Sequence, residues 1–363
     1  MKKLEIRKED LIYNLNSIKK IVNDNTKIIG VVKANGMGLG LIEYAKFLVE
    51  NNIKCIAVAS IEEAIKLKEA EIEAEILMLT PISLENELRI LIDNDITITI
   101  GCLEEFELAE TICAELGKEV KAHLKIDTGF GRYGFLYTEN EKILEVFRKS
   151  ENVKIDGMFT HFSNPINDKY TEKQFERFEE CVSYIRENSF EINTLHVCAT
   201  TATLKYPQMH LDAVRIGSGI QGRVLVKKDC FKKVGTFKTT IQEIKDLPKG
   251  YNISYNNTYK TKRNTKIAIV SVGYIDGLNK NKLRDDFSFK NNLISVLVEI
   301  KKIFKDNSLK AEINGKKYKI IGKLGMYHAV IDITGNSNIK VGDEVILDIS
   351  PIQTNDGIRR EYI

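Results

Sequence analysis

The feature that most constrains this chain is an alternation that runs through roughly its first 220 residues. Short runs rich in β-branched residues recur: KIIGVVK (27–33), CIAVAS (55–60), EILMLT (75–80), ITITIG (96–101), KAHLKID (121–127), KIDGMFTH (154–161), TLHVCAT (194–200) and DAVRIG (212–217). Between them lie stretches whose apolar residues recur at three- and four-residue spacing, such as LIEYAKFLVENN, IEEAIKLKEA, EFELAETICAEL and EKQFERFEECVSYIREN. The first pattern reads as strand and the second as amphipathic helix. The intervals are short, as βα units require. The strand runs are apolar throughout, as strands covered on both faces must be. Eight such units predict an α/β fold with an N-terminal (β/α)8 TIM barrel. A doubly wound open sheet shares the pattern, but the first strand–helix turn carries no GxGxxG.

From about residue 230 the texture changes. FKTTIQEIKDL, TKIAIVSVGY, KKYKIIGKLG, HAVIDIT and DEVILDI read as strands without long helices between them, and the turn signals NG (314–315), GN (335–336) and GD (342–343) separate several of them. This predicts a C-terminal all-β domain. One segment departs from it: in FKNNLISVLVEIKKIFKDN, the residues Leu293, Val296, Leu297, Ile300, Ile303 and Phe304 form one helical stripe, expected to pack into a core. The 363 residues thus divide into a barrel over 10–228 and a β domain over 229–363 that also takes an N-terminal strand from 1–9.

Composition narrows the class. Hydrophobic residues make up 43% and charged residues 29%, enough apolar content for a full core. A net charge of +3 without a basic stripe argues against a nucleic-acid partner. No apolar run reaches the ~20 residues that span a bilayer, and no signal-peptide core follows the basic start MKKLEIRKED. The chain reads as cytoplasmic, with no membrane partner. The six cysteines are scattered without a CxxC pair and read as buried free thiols. The five histidines have no HExxH-like spacing, so no metal site is expected.

In a βα barrel the active site lies at the carboxyl ends of the strands. The first run ends at Lys33, followed by AsnGlyMetGlyLeuGly, expected to be flexible. The fifth carries Lys125 and Asp127, then Arg132; the sixth ends in His161; the seventh in Thr200 and Thr201; the eighth in Arg215, then Gly217, Ser218 and Gly219. Each alone has a bland reading: an exposed lysine, a satisfied core histidine, an arginine in a salt bridge. Their convergence on one rim is harder to dismiss. A lysine in a partly dry barrel mouth can have a lowered pKa and form a Schiff base with an aldehyde. The Gly217–Gly219 turn and Thr200 lie where barrels commonly hold a phosphate. Lysine, phosphate cradle and barrel point to pyridoxal phosphate, although sugar-phosphate aldolases also use barrel lysines.

The local sequences narrow this further. VVKANGMGLG resembles the cofactor-lysine segment of alanine racemases, usually VVKANAYGHG, and HLKIDTGFGRYGF resembles their HLKVDTGMGRLGF. GMFTHFSNPIND, VRIGSGIQG, SYNNTY, SVGYIDGL and GKLGMYHAVIDIT resemble further family segments in the same chain order. The resemblance spans nearly the whole chain. It implies an amino-acid racemase, by default acting on alanine, that forms head-to-tail homodimers with shared active sites. Lys33 would hold pyridoxal 5'-phosphate and act as one acid/base, with Tyr274 of the partner subunit as the other. His161 would sit between Tyr274 and Arg215, and Arg215 would face the pyridine nitrogen. Arg132 would contact the cofactor phenolic oxygen and the substrate carboxylate, which the Met326 backbone would help hold. Thr200, Gly217 and Ser218 would bind the phosphate. Lys125 matches a lysine that is carbamylated in some members and then orients the arginine.

The departures are local. The family tyrosine and histidine of the lysine loop are Met37 and Leu39, the usual AsnSer after strand seven is Ala199 and Thr200, the tyrosine after strand eight is Gln221, and the aspartate after the family methionine is Tyr327. The span from Tyr274 to Met326 is longer than usual, and the end of the chain lacks the family's terminal phosphate-side tyrosine. Three other functions remain open: racemisation of serine or of a larger or basic amino acid, a low-turnover cofactor-binding protein, and a barrel decarboxylase. The last normally places an acid at the ring nitrogen, where this chain has Arg215.

Overall fold

The computed structural model describes residues 1–280, 289–303 and 308–363. They form two compact units, Lys8–Val234 and the combination of Met1–Arg7 with Gly235–Ile363. The strands of the first half, in chain order, are β1 (Lys3–Ile6), β2 (Lys27–Val31), β3 (Cys55–Val58), β4 (Glu75–Met78), β5 (Ile98–Ile100), β6 (Val120–Asp127), β7 (Phe135–Leu136), β8 (Val153–Phe159), β9 (Thr194–His196) and β10 (Ala213–Ile216).

In the Lys8–Val234 unit, β10, β2, β3 and β4 form one parallel arc, and β5, β6, β8 and β9 form another. The arcs meet at two seams, where Leu77 bridges Thr97 and Ala199 bridges Arg215. Backbone hydrogen bonds Met78 N–H to Thr97 O and Arg215 N–H to Cys198 O complete the seams. Eight parallel strands therefore close into a barrel, and the open sheet is excluded. The physical cause is visible in the burial. Ile29, Val31, Ala57, Leu77 and Ala213, from four neighbouring strands, pack as one cluster. The connecting helices follow their periodicity: Leu41–Glu50 buries Leu41, Tyr44, Ala45, Phe47 and Leu48. Full burial of a large aliphatic or aromatic side chain stabilises by about 1.5–3 kcal/mol, so such a face fixes each helix on the barrel. Ser60 caps Ile61–Glu69 by accepting from Glu63 N–H, and Asn167 caps Asp168–Glu187 by accepting from Tyr170 N–H.

The other unit is built on β11 (Thr236–Leu247), which is long enough to serve several neighbours. Its first part pairs with β1 and with the strand Glu344–Leu347, and its second part, past an irregularity between Ile241 and Glu243, pairs with Thr265–Val270. The strands Ala329–Asp332, Lys316–Ile321 and Lys310–Ile313 complete the path back to Glu344–Leu347. Asn314 and Gly315, both at positive φ, make the tight turn between the last two. β1 also pairs in parallel with Arg359–Tyr362, so both chain termini belong to this unit.

One expectation fails here. The segment Phe289–Ile303 is helical, as its periodicity predicts, but the stripe is not core: Leu293, Val296, Leu297 and Ile300 are each about half exposed. Periodicity sets where apolar side chains lie around a helix; it does not supply a surface to cover them. Phe304 lies outside the described residues. Of the six cysteines, all unpaired, Cys113, Cys181 and Cys198 are buried, but Cys230 is exposed. No helix among the described residues is long and apolar enough to cross a membrane.

Candidate active site

The lysine loop is tied down, not flexible. After Lys33 the backbone makes a left-handed turn: φ is 55° at Ala34, 53° at Asn35, 64° at Gly36 and 55° at Met37. For residues with a Cβ this costs roughly 1–2 kcal/mol each, so neighbouring groups must offset it. Gly36 N–H donates to Val32 O (2.7 Å) and Gly38 N–H to Ala34 O (2.8 Å). The Asn35 side chain accepts from Leu41 N–H (2.9 Å), and Asn35 N–H donates to Glu63 Oε1 (3.1 Å). Gln221 Nε2 donates to Met37 O (2.7 Å). Loop and strand ends thus hold Lys33 on the rim.

Lys33 lines a cavity of about 570 Å³ at the carboxyl ends of the barrel strands. Lys125, Arg132, His161, Thr200, Arg215, Gly217 and Ser218 line it too, and among the described residues no carboxylate does. Two lysines and two arginines share this one cavity wall. Burial, with Arg132 and Arg215 close by, holds Lys33 below the ordinary lysine range. Burial and the same arginines bring Lys125 to about 8. Burial, then Arg215, lowers His161 to about 3, so it is neutral at physiological pH. Asp127 does not face the cavity as a free acid. Its carboxylate accepts from the backbone N–H groups of Gly129, Phe130, Gly131 and Arg132, which fixes the loop that carries Arg132. The Arg132 guanidinium lies 4.4 Å from the centre of the Phe130 ring.

Arg215 is buried and its terminal nitrogens are committed. Nη1 donates to His196 Nδ1 (2.6 Å) and His196 O (2.8 Å); Nη2 donates to Thr160 O (2.7 Å) and Val197 O (3.1 Å) and lies 3.4 Å from His161 Nδ1. No acceptor among the described residues takes the Nε–H. At the other side of the cavity, Thr200 Oγ1 accepts from Gly217 N–H and Gly219 N–H (both 3.3 Å). The Gly217 N–H, expected to point at a phosphate, is thus turned onto Thr200, because a β-branched hydroxyl at the start of Thr200–Lys205 fills the turn. The hydroxyls of Thr200, Thr201 and Ser218 remain as donors. Met37 brings an apolar wall: a Cβ on Gly217 would stand 3.6 Å from its Sδ and Cε.

Tyr274 and Met326 belong to the β unit. Tyr274 begins a short 3-10 turn whose N–H donates to Gly325 O (3.2 Å), and Ile275 N–H reaches Met326 O (3.4 Å). Gly273 permits this approach, since a Cβ there would lie 2.1 Å from Met326 O. Asp276 accepts from Gly273 N–H (3.0 Å) and from Lys2 Nζ (2.8 Å), which holds the turn. Both side chains, Tyr274 and Met326, are half exposed. The two residues, 52 positions apart in the chain, are therefore neighbours.

Several cavity residues carried no signal in the sequence. Leu79, Thr80, Phe130, Tyr133, Pro165 and Leu225 line it, but each has the composition of ordinary core or loop. Glu63 reads as one of several helical acids. Only its ties to Asn35 N–H and Ala59 N–H (3.4 Å) show its part in the lysine loop.

Comparison with known proteins agrees with this geometry. The family model "Alanine racemase, N-terminal domain" matches residues 6–223, and "Alanine racemase, C-terminal domain" matches residues 234–356. The chain is 33% identical over 354 residues to alanine racemase 2 of Caldanaerobacter subterraneus subsp. tengcongensis, covering 95% of this chain and 84% of that protein. It is 32% identical to the alanine racemase of Methanococcus maripaludis, covering 92% and 84%. Among solved structures, alanine racemase of Clostridium difficile 630 superposes with a TM-score of 0.88 at 28% identity, covering 100% of this chain and 95% of that one.

Proposed function

Because the chain belongs to the alanine racemase family, we propose that it is a pyridoxal-phosphate-dependent racemase that interconverts L- and D-alanine by proton transfer at Cα. The observation that carries this reading is one cavity holding Lys33 and Arg215 with no carboxylate among the described residues of its wall. The residues fit the cofactor. Lys33 Nζ would hold its aldehyde carbon, the free Arg215 Nε–H would face the pyridine nitrogen, Arg132 its phenolic oxygen, and the hydroxyls of Thr200, Thr201 and Ser218 its phosphate end, the Gly217 N–H expected there being taken by Thr200 Oγ1. Bound there, the cofactor acidifies the substrate Cα–H by withdrawing electrons.

The chain's own groups do the rest. Arginine does not give up its proton, so Arg215 would leave a pyridine nitrogen facing it unprotonated, which would temper electron withdrawal and limit side reactions such as transamination. Lys33, deprotonated more readily than an ordinary lysine, takes or returns the Cα proton on one face. Tyr274 of the partner subunit serves the other face in a homodimer with shared sites. His161 connects the two: with Arg215 facing its Nδ1, a neutral His161 carries its proton on Nε2 and can stabilise a phenolate on Tyr274. Arg132 and the Met326 N–H, which donates to no other group among the described residues, would hold the substrate carboxylate. D-alanine made in the cytoplasm would serve as a peptidoglycan precursor.

The test is a screen of L-amino acids for solvent deuterium at Cα together with loss of optical rotation. L-Alanine should show both. Exchange confined to serine or a basic amino acid would change the substrate, release of carbon dioxide would indicate a decarboxylase, and no exchange with any amino acid would refute the reading.

A further inference from the structure

Arg215 has no acid beside it. Among the described residues no carboxylate forms an ion pair with it, and burial keeps the nearby Cys198 thiol protonated, hence uncharged. Burying an uncompensated charge is costly, and four neutral acceptors only partly offset it. A line of polar contacts runs instead away from the cavity. His196 Nδ1 accepts from Arg215, and His196 Nε2 lies 2.8 Å from His123 Nδ1. His123 Nε2 lies 3.8 Å from Asp156 Oδ2, an ion-pair separation and not a hydrogen bond. Asn193 Nδ2 donates to the other oxygen, Oδ1, at 3.0 Å. Asp156 stands in the middle of β8 and touches solvent; His123 and His196 are buried.

The donors and acceptors in this line can be assigned by elimination. Arg215 can only donate, so His196 Nδ1 must accept and its proton sits on Nε2. That proton points at His123 Nδ1, so the proton of His123 sits on Nε2, toward Asp156. Every dipole in the line then points the same way, from guanidinium to carboxylate. The barrel makes room for it. Gly157 pairs with both His123 and Thr194, and a Cβ there would lie 2.8 Å from His123 Nδ1 and Cε1. Phe159 stacks on His196 with centroids 4.7 Å apart and planes 8° from parallel. Burial keeps His196 well below the ordinary histidine range, hence neutral, and His123 heads the groups that hold Asp156 below the usual carboxylate range.

We propose that Asp156 is the counter-charge of Arg215, relayed across the barrel by His123 and His196, and that these three are positioning residues for the guanidinium that faces the ring nitrogen. The inference rests on the reading of Arg215 given above. The carboxylate acts across 3.8 Å on the His123 Nε2–H dipole, and the hydrogen bonds from His123 to His196 and from His196 to Arg215 pass that polarisation on, so the distant charge makes His196 Nδ1 a better acceptor. This holds the guanidinium with its Nε–H directed into the cavity.

The test uses the full chain labelled with 15N in histidine and arginine, with and without pyridoxal phosphate. In the wild type both His123 and His196 should be neutral with the proton on Nε2; a proton on Nδ1 of either overturns the assignment. Asp156→Asn should shift the His196 ring nitrogens and speed hydrogen exchange at the Arg215 guanidinium roughly two- to fourfold, the scale of weakening one charge-assisted hydrogen bond by about 10–30%. Glu75→Gln, at a strand acid bonded to Thr97 and outside the line, should leave both unchanged. Unchanged Arg215 exchange in Asp156→Asn, or an equal effect from Glu75→Gln, overturns the relay. His123→Gln keeps an acceptor for His196 and should protect Arg215 better than His123→Phe; equal exchange in the two also overturns it. Adding pyridoxal phosphate to the wild type should move the Arg215 Nε resonance. If that resonance stays put while the other signals behave as stated, the ring-nitrogen reading fails and the carboxylate–arginine coupling stands.

Discussion

Met37→Tyr should tighten binding of pyridoxal phosphate. Met37 presents a thioether beside Gly217, where the cavity wall otherwise offers the hydroxyls of Thr200, Thr201 and Ser218. A phenol reaching the same place adds one hydrogen bond to a charged phosphate, which contributes about 1.5–3 kcal/mol net, or roughly ten- to a hundredfold in Kd. The backbone should tolerate the change. Met37 already holds a left-handed φ with a Cβ, so tyrosine meets the same backbone penalty, and Gln221 bonds the carbonyl of residue 37 whatever its side chain. Against the gain stand the larger ring and the lost thioether contact, so the lower end of the range is expected. Equilibrium dialysis of wild type and variant at equal protein concentration reads the ratio. Equal or weaker binding by the variant would refute the reasoning and mean that a group already present satisfies that side of the phosphate.

Three further outcomes follow from the site. Tyr274→Phe should spare cofactor binding but slow Cα proton exchange from one enantiomer far more than from the other, because Lys33 still serves its own face. Mixed and re-associated Lys33→Ala and Tyr274→Phe chains should regain part of the activity, and proven heterodimers without activity would show that Tyr274 acts within its own chain. Lys125 binds its proton less tightly in the folded state, about 8 against 10.5, so between these values the unfolded chain holds more protons and stability rises with pH. In carbon-dioxide-free buffer, Lys125→Met should remove this rise. The gap between wild-type and variant unfolding midpoints should therefore move in favour of the wild type from pH 8 upward, and parallel profiles would contradict the assigned environment.

The amino-acid sequence alone determined what depends on short windows. Alternating β and helical periodicity called for eight βα units, and five of the strand runs named rim residues: Lys33, Lys125, His161, Thr200, Arg215. Those assignments survive tertiary assembly because closing a parallel barrel brings the carboxyl end of every strand to one face, whatever lies between. The lysine loop was misread for a local reason. AsnGlyMetGlyLeuGly has the composition of a flexible segment, and the left-handed turn is held in part by Glu63 and Gln221, 28 and 184 residues away from their partners. Only the tertiary structure decided the rest. The apolar stripe of Phe289–Ile303 was legible as a helix face, but whether such a face is covered depends on what the fold places opposite. The line from Arg215 to Asp156 joins residues from β6, β8, β9 and β10, 73 positions apart at the His123–His196 link. No spacing rule marks it, since strand adjacency in a closed barrel, and not distance along the chain, sets which buried side chains meet.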